Sequence, residues 1–344
     1  VLCGINDTRR GAALAGDIAK VECQILLVDE AHRELLDGLE LPGVAVIDVG
    51  TAAWPQRELT PQREVGPDDT FMMIFTSGTS GAPKAVRVPH AIVLFSAGAL
   101  VARYGLTDED TCYLAMPLFH SNAVYAGWGV ALAAGAAMAP AAFSASAFLP
   151  DIRRYGATYM NYVGKPLAYI LATPESPDDR DNPLRVAFGN EAADRDIEEF
   201  SRRFDCSVWD GFGSTELAII ITRSEDTPPG SVGQGFPGVA IYDPVTLTEC
   251  EVARFDDTGA LVNAEAATGE LVNTGGSGMF RGYHNDPDAT DERLRHGMYW
   301  SGDLAYRDAD GWIYLAYNHR DSWRGLQLVF DLANVSTATT GEAV

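Results

Sequence analysis

The sequence predicts an α/β fold, with parallel sheets covered by helices and then a mainly antiparallel, barrel-like part. Three observations predict it. From residue 8 to residue 210, short apolar runs alternate with amphipathic stretches, the pattern of strand–helix–strand units. Past residue 222 the texture changes, and turn pairs (Pro228-Pro229-Gly230, Asp257-Thr258-Gly259, Gly275-Gly276) separate short strand-like runs. The chain has 344 residues, 47% of them hydrophobic, enough for a large core and for about two domains.

Taken in order, residues 8–20 (TRRGAALAGDIAK) read as a helix and 23–29 (CQILLVD) as a strand. Residues 31–39 (AHRELLDGL) read as a second helix and 44–49 (VAVIDV) as a second strand. Residues 50–70 are polar and carry proline, and so connect. Phe71–Phe75 is an apolar strand. The alternation then resumes. Helices are expected near 91–103, 146–155, 165–172 and 193–204, and strands near 112–116, 157–163, 184–188 and 206–210.

Composition excludes some function classes. There are 25 Lys and Arg against 48 Asp and Glu, a formal charge of −23, and no basic cluster, so nucleic acid is not an expected partner. The five cysteines (Cys3, Cys23, Cys112, Cys206, Cys250) are odd in number and scattered, which fits a reducing cytosol better than a disulfide framework or a zinc site. The most apolar stretches, 91–102 and 127–143, do not make a membrane span. The first residues carry no signal-peptide pattern. The expected location is the cytoplasm, with or without peripheral membrane association. Opening at Val1, without Met and in what reads as mid-domain, the chain is expected to be a piece of a longer protein.

The strand Phe71–Phe75 runs into TSGTSGAPK, residues 76–84. Backbone N–H groups of a glycine-rich turn converge on anions, hydroxyls add donors, and lysine adds a point charge. The loop is not a Walker loop: Pro83 precedes the lysine, Ala85 follows it, and Val86-Arg87-Val88 alternates as a strand rather than opening a helix. A Gly/Ser surface hairpin that binds nothing is the competing reading.

TSGTSGAPKAV closely resembles the signature loop of adenylate-forming (AMP-binding) enzymes. The resemblance continues in order through Met116–His120, Gly211–Glu216, Gly269-Glu270-Leu271, Gly282–Pro287 and Ser301–Leu304. Six motifs in one order over residues 76–311 identify the chain as a member of that superfamily. GINDTRRGAALAGDI and GMYWSGDLAYRDADGW are similar to the long-chain and very-long-chain fatty-acyl-CoA synthetase branch, which includes the fatty-acid transport proteins. The resemblance implies the large domain of such an enzyme, truncated at both ends. Residues 1–221 would be its α/β part, 222–317 its antiparallel β subdomain, and 318–344 a hinge remnant and tail.

The implied reaction has two halves. A fatty acid carboxylate attacks the α-phosphate of ATP, and coenzyme A then displaces AMP. Thr76, Ser77, Gly78, Thr79, Ser80, Gly81 and Lys84 would hold the β- and γ-phosphates. Glu216 would hold Mg²⁺, and Thr215 would contact the α-phosphate. Phe212 would stack on adenine where the family has Tyr, and Gly189 would let the backbone approach the adenine edge. Asp303 and Arg320 would bind the ribose. His120 either lines the acyl entrance or is a satisfied core residue. The Gly/Ala-rich stretch 127–142 fits an acyl-pocket wall or a tightly packed helix equally well. After Tyr314 the match decays, and the small domain with its catalytic lysine is not present in this sequence. A non-catalytic nucleotide-binding remnant and a ligase that loads a carrier protein are the competing functions.

Overall fold

The computed structural model describes residues 1–54, 63–76 and 83–317. The chain opens with β1 (Leu2–Gly4), α1 (Gly11–Lys20), β2 (Ile25–Val28) and β3 (Ala45–Asp48). β4 (Thr70–Thr76) pairs in parallel with β1 and antiparallel with β5 (Lys84–Pro89), in a three-stranded sheet. β2 and β3 pair only with each other, so the first strand–helix–strand units do not join one large parallel sheet. The helix expected at 31–39 is a 3₁₀ stretch, Glu30–Leu36. The Asp29 side chain caps it, and none of its residues is buried. Without an apolar face to pack, little holds a short segment in the α form.

The main sheet starts after α2 (His90–Tyr104). β6 (Thr111–Leu114) leads into a π-helical turn, Ala123–Trp128, which continues as α3 (Gly129–Ala134) and ends in β7 (Ala137–Pro140). α4 (Phe148–Tyr155), β8 (Tyr159–Val163), α5 (Pro166–Leu171), β9 (Val186–Asn190), α6 (Asp194–Phe204) and β10 (Ser207–Gly213) follow. β7, β6, β8, β9 and β10 lie side by side, all parallel. The aromatic cluster of Phe148, Phe200 and Phe204 packs α4 and α6 together on one face. On the same side Arg203 is buried and paired with Asp179 at 2.6 Å.

β11 (Ile220–Thr222), β12 (Gly233–Gly235) and β13 (Val239–Tyr242) open the second half. α7 (Ala264–Ala267), β14 (Gly269–Asn273), α8 (Pro287–Arg293), β15 (Leu294–Arg295), β16 (Met298–Arg307) and β17 (Trp312–Tyr317) complete it. Its pairings are antiparallel, as the turn pairs predict. It is also laterally continuous with the parallel half. β10 pairs in parallel with β9 on one side and antiparallel with β11 on the other, so one sheet of twelve strands results.

One core cluster ties the chain together. Met72 and Ile74 of β4, Val86 and Val88 of β5, Ile221 of β11 and Tyr299 of β16 all belong to it. The loop ends after β4, after β9 and after β10 consequently open toward one region. β16 faces the same region from the antiparallel half.

Candidate active site

A cavity of about 730 Å³ lies where these strand ends meet. Thr76 reaches its wall from the end of β4, and His120, Phe212, Thr215, Glu216 and Asp303 line it too. Residues from four separate stretches of sequence therefore converge. Lys84 and Gly189 do not line it. Ser77, Gly78, Thr79, Ser80, Gly81 and Arg320 lie outside the described residues.

Glu216 sits just beyond β10, in a turn where Leu217 takes a φ of +47°. A branched side chain in the left-handed region is strained, and such strain collects at functional sites. Glu191, which follows β9 on the same wall, has a φ of +66°. The Glu216 carboxylate is buried, and its Oε1 accepts a 2.7 Å hydrogen bond from the Tyr283 hydroxyl. Thr215 beside it donates to Ser121 Oγ at 3.0 Å, and its carbonyl accepts from the Tyr125 hydroxyl at 2.9 Å. The π-helical turn after β6 carries Tyr125 and so locks this turn in place.

Lys84 corrects the expectation placed on it. It opens β5 opposite Thr76, yet its side chain is buried on the far side of Tyr283. Its ammonium lies 5.3 Å from the Tyr283 ring centroid and 3.6 Å from Glu292. Backbone bonds explain the placement: β5 receives residues 282–284 along its free edge, with His284 N–H donating to the Ala85 carbonyl at 2.8 Å. Cations on the cavity wall come instead from Arg9, paired with Asp17 at 2.7 Å, and Arg293. Arg9 lies in the GINDTRRGAALAGDI run, which carries a family resemblance but no site assignment, and no motif marked Arg293.

Gly189 is a second correction. It is buried in β9, and a Cβ there would lie 2.3 Å from the Tyr162 carbonyl oxygen and 2.4 Å from its ring. Tyr162 of the neighbouring strand demands the glycine. Asn190 and Glu191, one and two residues on, are the ones that reach the cavity.

Asp303 stands in β16 and its N–H donates to Ser301 Oγ at 3.0 Å. Burial raises its pKa from the usual carboxylate range to about 6. Asp210, in β10, is raised to about 6 for the same reason. Asp210, Phe212, Arg223 and Asp303 share a smaller recess of about 320 Å³ off the main cavity. His120 is exposed on the wall rather than satisfied in the core, and partial burial lowers its pKa.

Among the described residues no group of three or more His, Cys, Asp or Glu gathers to hold a metal. Mg²⁺ asks for less, since one or two carboxylates suffice when water and phosphate oxygens complete the shell. Glu216, buried against an open cavity with Oε2 making no hydrogen bond among the described residues, fits that need.

A second cavity of about 550 Å³ is mostly apolar, with Phe95 and Leu100 of α2, Tyr125, Leu217 and Phe236 on its wall. Ser121, Asn122, Asn190, Phe212 and Gly213 line both cavities. A buried amide chain crosses this junction. Asn161 donates to Asn122 at 2.7 Å, Asn122 to Asn190 at 2.9 Å, and Asn190 to the Gly211 carbonyl. The Gly/Ala-rich stretch 127–142 is not part of the apolar wall. A Cβ on Gly127 would lie 2.7 Å from Asn161 Oδ1, and one on Gly129 would lie 2.8 Å from the Val124 carbonyl. Its small residues serve tight packing.

Residues 1–284 match the family described as AMP-binding enzyme. The chain is 50% identical over 321 residues to a medium/long-chain-fatty-acid–CoA ligase, FadD17, of Mycobacterium marinum, covering 91% of this chain and 60% of that one. It is 44% identical over 325 residues to a steroid-22-oyl-CoA synthetase of Rhodococcus jostii, covering 91% and 58%. The fold is similar to that of the O-succinylbenzoate coenzyme A synthetase (MenE) of Bacillus subtilis in complex with ATP and magnesium ion, with a TM-score of 0.68 and 24% identity. That match covers 88% of this chain and 61% of that one. The chain thus spans about 60% of the length of the curated relatives it matches. Among the described residues no helix is long and apolar enough to cross a membrane.

Proposed function

Because the chain belongs to the AMP-binding enzyme family, we propose that its polar cavity binds ATP and that its apolar cavity takes a long-chain fatty acid. A carboxylate oxygen attacks the α-phosphorus, the bond to the bridging oxygen breaks, and pyrophosphate leaves with the bonding electrons. In the whole protein the coenzyme A sulfur then attacks the acyl carbonyl and AMP departs. The observation that carries this reading is the convergence of Thr76, Phe212, Thr215, Glu216 and Asp303 on one cavity that shares a wall with an apolar one.

Each role follows from chemistry at its place. Asp303 accepts from the ribose hydroxyls, since an ionised carboxylate only accepts. Phe212, between the recess and both cavities, offers a ring face to adenine. Thr215 donates toward the α-phosphate. Thr76 and the loop 77–81 that follows take the β- and γ-phosphates, with Lys84 supporting from behind Tyr283. Glu216 would hold Mg²⁺, which supplies charge neutralisation at the phosphates when bound. Tyr283 fixes the orientation of that carboxylate. The junction at Asn122 and Asn190 is where an acyl carboxylate and an α-phosphate would meet. Arg320 would add a second ribose contact.

Residues 1–221 and 222–317 would act as the two parts of the nucleotide-binding domain, with 318–344 leading toward a hinge. The five free thiols suit a reducing cytoplasm. The similarity to a steroid-22-oyl-CoA synthetase favours a second reading of the apolar cavity, in which a polycyclic acid replaces the straight chain.

Calorimetric titration of the chain with AMP, ATP and a non-hydrolysable acyl-adenylate mimic tests the binding claim. No binding of any of them at millimolar concentration overturns it. In the whole protein, kcat/KM should rise with acyl chain length, because each buried methylene is worth about 0.8 kcal/mol. A flat profile with a sharp preference for a ring system would select the polycyclic reading.

A further inference from the structure

We propose that Arg293 and Glu270 form a brace that sets the position of the Asp303 carboxylate on the cavity wall. The inference rests on the reading of Asp303 as the ribose contact. It adds two residues that act on the ribose through it.

The turn Ser301-Gly302-Asp303 is held from opposite sides. Arg293 ends α8 and is 8% exposed. Its Nη1 donates to the Trp300 carbonyl at 3.2 Å and also to the Ser301 carbonyl. From the other side Glu270 Oε1 accepts the Gly302 N–H at 2.7 Å. Glu270 is itself only 6% exposed, and its second oxygen accepts from Arg295 at 3.0 Å. Two carbonyl acceptors and one N–H donor, in two consecutive peptide units, are thereby fixed by two buried, oppositely charged side chains.

Two features show that this arrangement is built in. The β14–β16 ladder shifts register between Glu270 and Val272, an irregularity of the kind that re-aims side chains beside functional sites. Gly302 has a φ of +81°, and a Cβ there would lie 2.6 Å from Arg293 Nη1. The guanidinium fills the space a side chain at 302 would need, so the glycine and the arginine are one fit. Burying a guanidinium is expensive unless its neighbours repay it. Here the charge also acts on Glu216 and Asp303, and it favours the ionised form of Asp303 against burial.

The test is the ability to tell a ribose from a sugar without hydroxyls. AMP and 2′,3′-dideoxy-AMP are titrated calorimetrically into the wild-type chain and into Asp303→Ala, Arg293→Met, Arg293→Lys and Glu270→Ala. The wild type should prefer AMP, and Asp303→Ala should lose that preference. Arg293→Met and Glu270→Ala should lower the AMP-to-dideoxy affinity ratio by about tenfold, the worth of a charge-assisted hydrogen bond, with dideoxy-AMP binding unchanged. Arg293→Lys, which keeps a cationic donor, should recover most of the ratio. If Arg293→Met fails to fold, Glu270→Ala and Arg293→Lys carry the test. A wild-type ratio in the brace variants, or an equal loss of both affinities, overturns the brace while leaving the ribose reading intact. A wild-type ratio in Asp303→Ala overturns the ribose reading and the brace with it.

Discussion

The Tyr283 hydroxyl donates to Glu216 Oε1 at 2.7 Å, and the Tyr283 ring stands 5.3 Å from the Lys84 ammonium. One aromatic residue therefore joins a carboxylate of the cavity wall to a buried cation behind it. Phe280 packs on the same ring edge to face and is itself packed edge to face by Tyr299, so the ring has little freedom. The orientation of Glu216 is set by packing as much as by charge.

Tyr283→Phe should keep that packing and remove only the donor. Leaving a buried carboxylate oxygen unsatisfied costs about 1–3 kcal/mol, which urea unfolding would read. Affinity for ATP with Mg²⁺ should fall more than affinity for AMP. Wild-type values in both measurements would mean that the contact does not steer Glu216.

Glu216→Gln should abolish the Mg²⁺-dependent part of ATP binding and spare AMP, which lacks the phosphates that share the ion. In the whole protein, fatty-acid-driven pyrophosphate exchange should slow on the order of 10²–10³-fold, as loss of one electrostatic contact does at other sites. Titration with and without Mg²⁺, beside the exchange assay, gives the answer. Equal Mg²⁺ dependence in variant and wild type would remove Glu216 from the metal role.

Asp303→Asn should make the unliganded protein more stable at neutral pH. The folded pKa of Asp303 is raised to about 6, so between about pH 4 and pH 6 the folded chain keeps a proton that the unfolded chain has released. The resulting penalty is absent below pH 4, grows through that window and is complete above it. Removing it is worth on the order of 2–3 kcal/mol at pH 7 and nothing at pH 4. Unfolding curves at the two pH values decide. In the wild type, AMP affinity should drop as pH falls through about 6, because protonated Asp303 no longer accepts from both hydroxyls.

Gly189→Ala and Gly98→Ala should move stability in opposite directions. At 189 a Cβ would meet Tyr162 at 2.3 Å, and overpacking of a sheet interior costs about 1–3 kcal/mol. At 98, within α2, nothing lies within 4 Å of the added carbon. There alanine should stabilise by about 0.5–1 kcal/mol through helix propensity. Thermal unfolding of the pair checks both, and a stable Gly189→Ala would show that β8 and β9 can shift apart.

Much of the fold was legible because apolar runs such as Met72–Ile74 are buried on both faces, where hydrophobicity alone marks a strand. The antiparallel half was legible from its turns. Phe212, Thr215, Glu216 and Asp303, which motifs mark, line one cavity, the first three at or just beyond the end of β10 and Asp303 within β16. The site was less legible where a strand's facing decides. Lys84 follows the phosphate-loop sequence, yet facing is fixed by register, and here it sends the side chain behind Tyr283. Gly189 was read as room for a ligand, whereas Tyr162 fills that room. Arg293 and Glu270 meet Gly302 only through a bulge and a helix end, which no spacing in the sequence announces.

The two ladders of β10 also bear on how such chains can be recombined. A crossover between relatives at residue 222, where the texture of the sequence changes, would keep β10 and β11 together but cut through the β11–β12 pairs Ile221–Gly235 and Thr222–Gln234. Each half would then inherit a strand edge shaped for a different parent. A breakpoint in the turn after α6, where Asp205 already takes a left-handed φ of +53°, cuts the parallel pairs of β10 with β9 instead and keeps β10 to β17 together. A segment exchanged from there carries Phe212, Thr215 and Glu216 along with the strands they lie against. Inheritance of the antiparallel half and inheritance of the turn that carries Thr215 and Glu216 are, by this geometry, a single event.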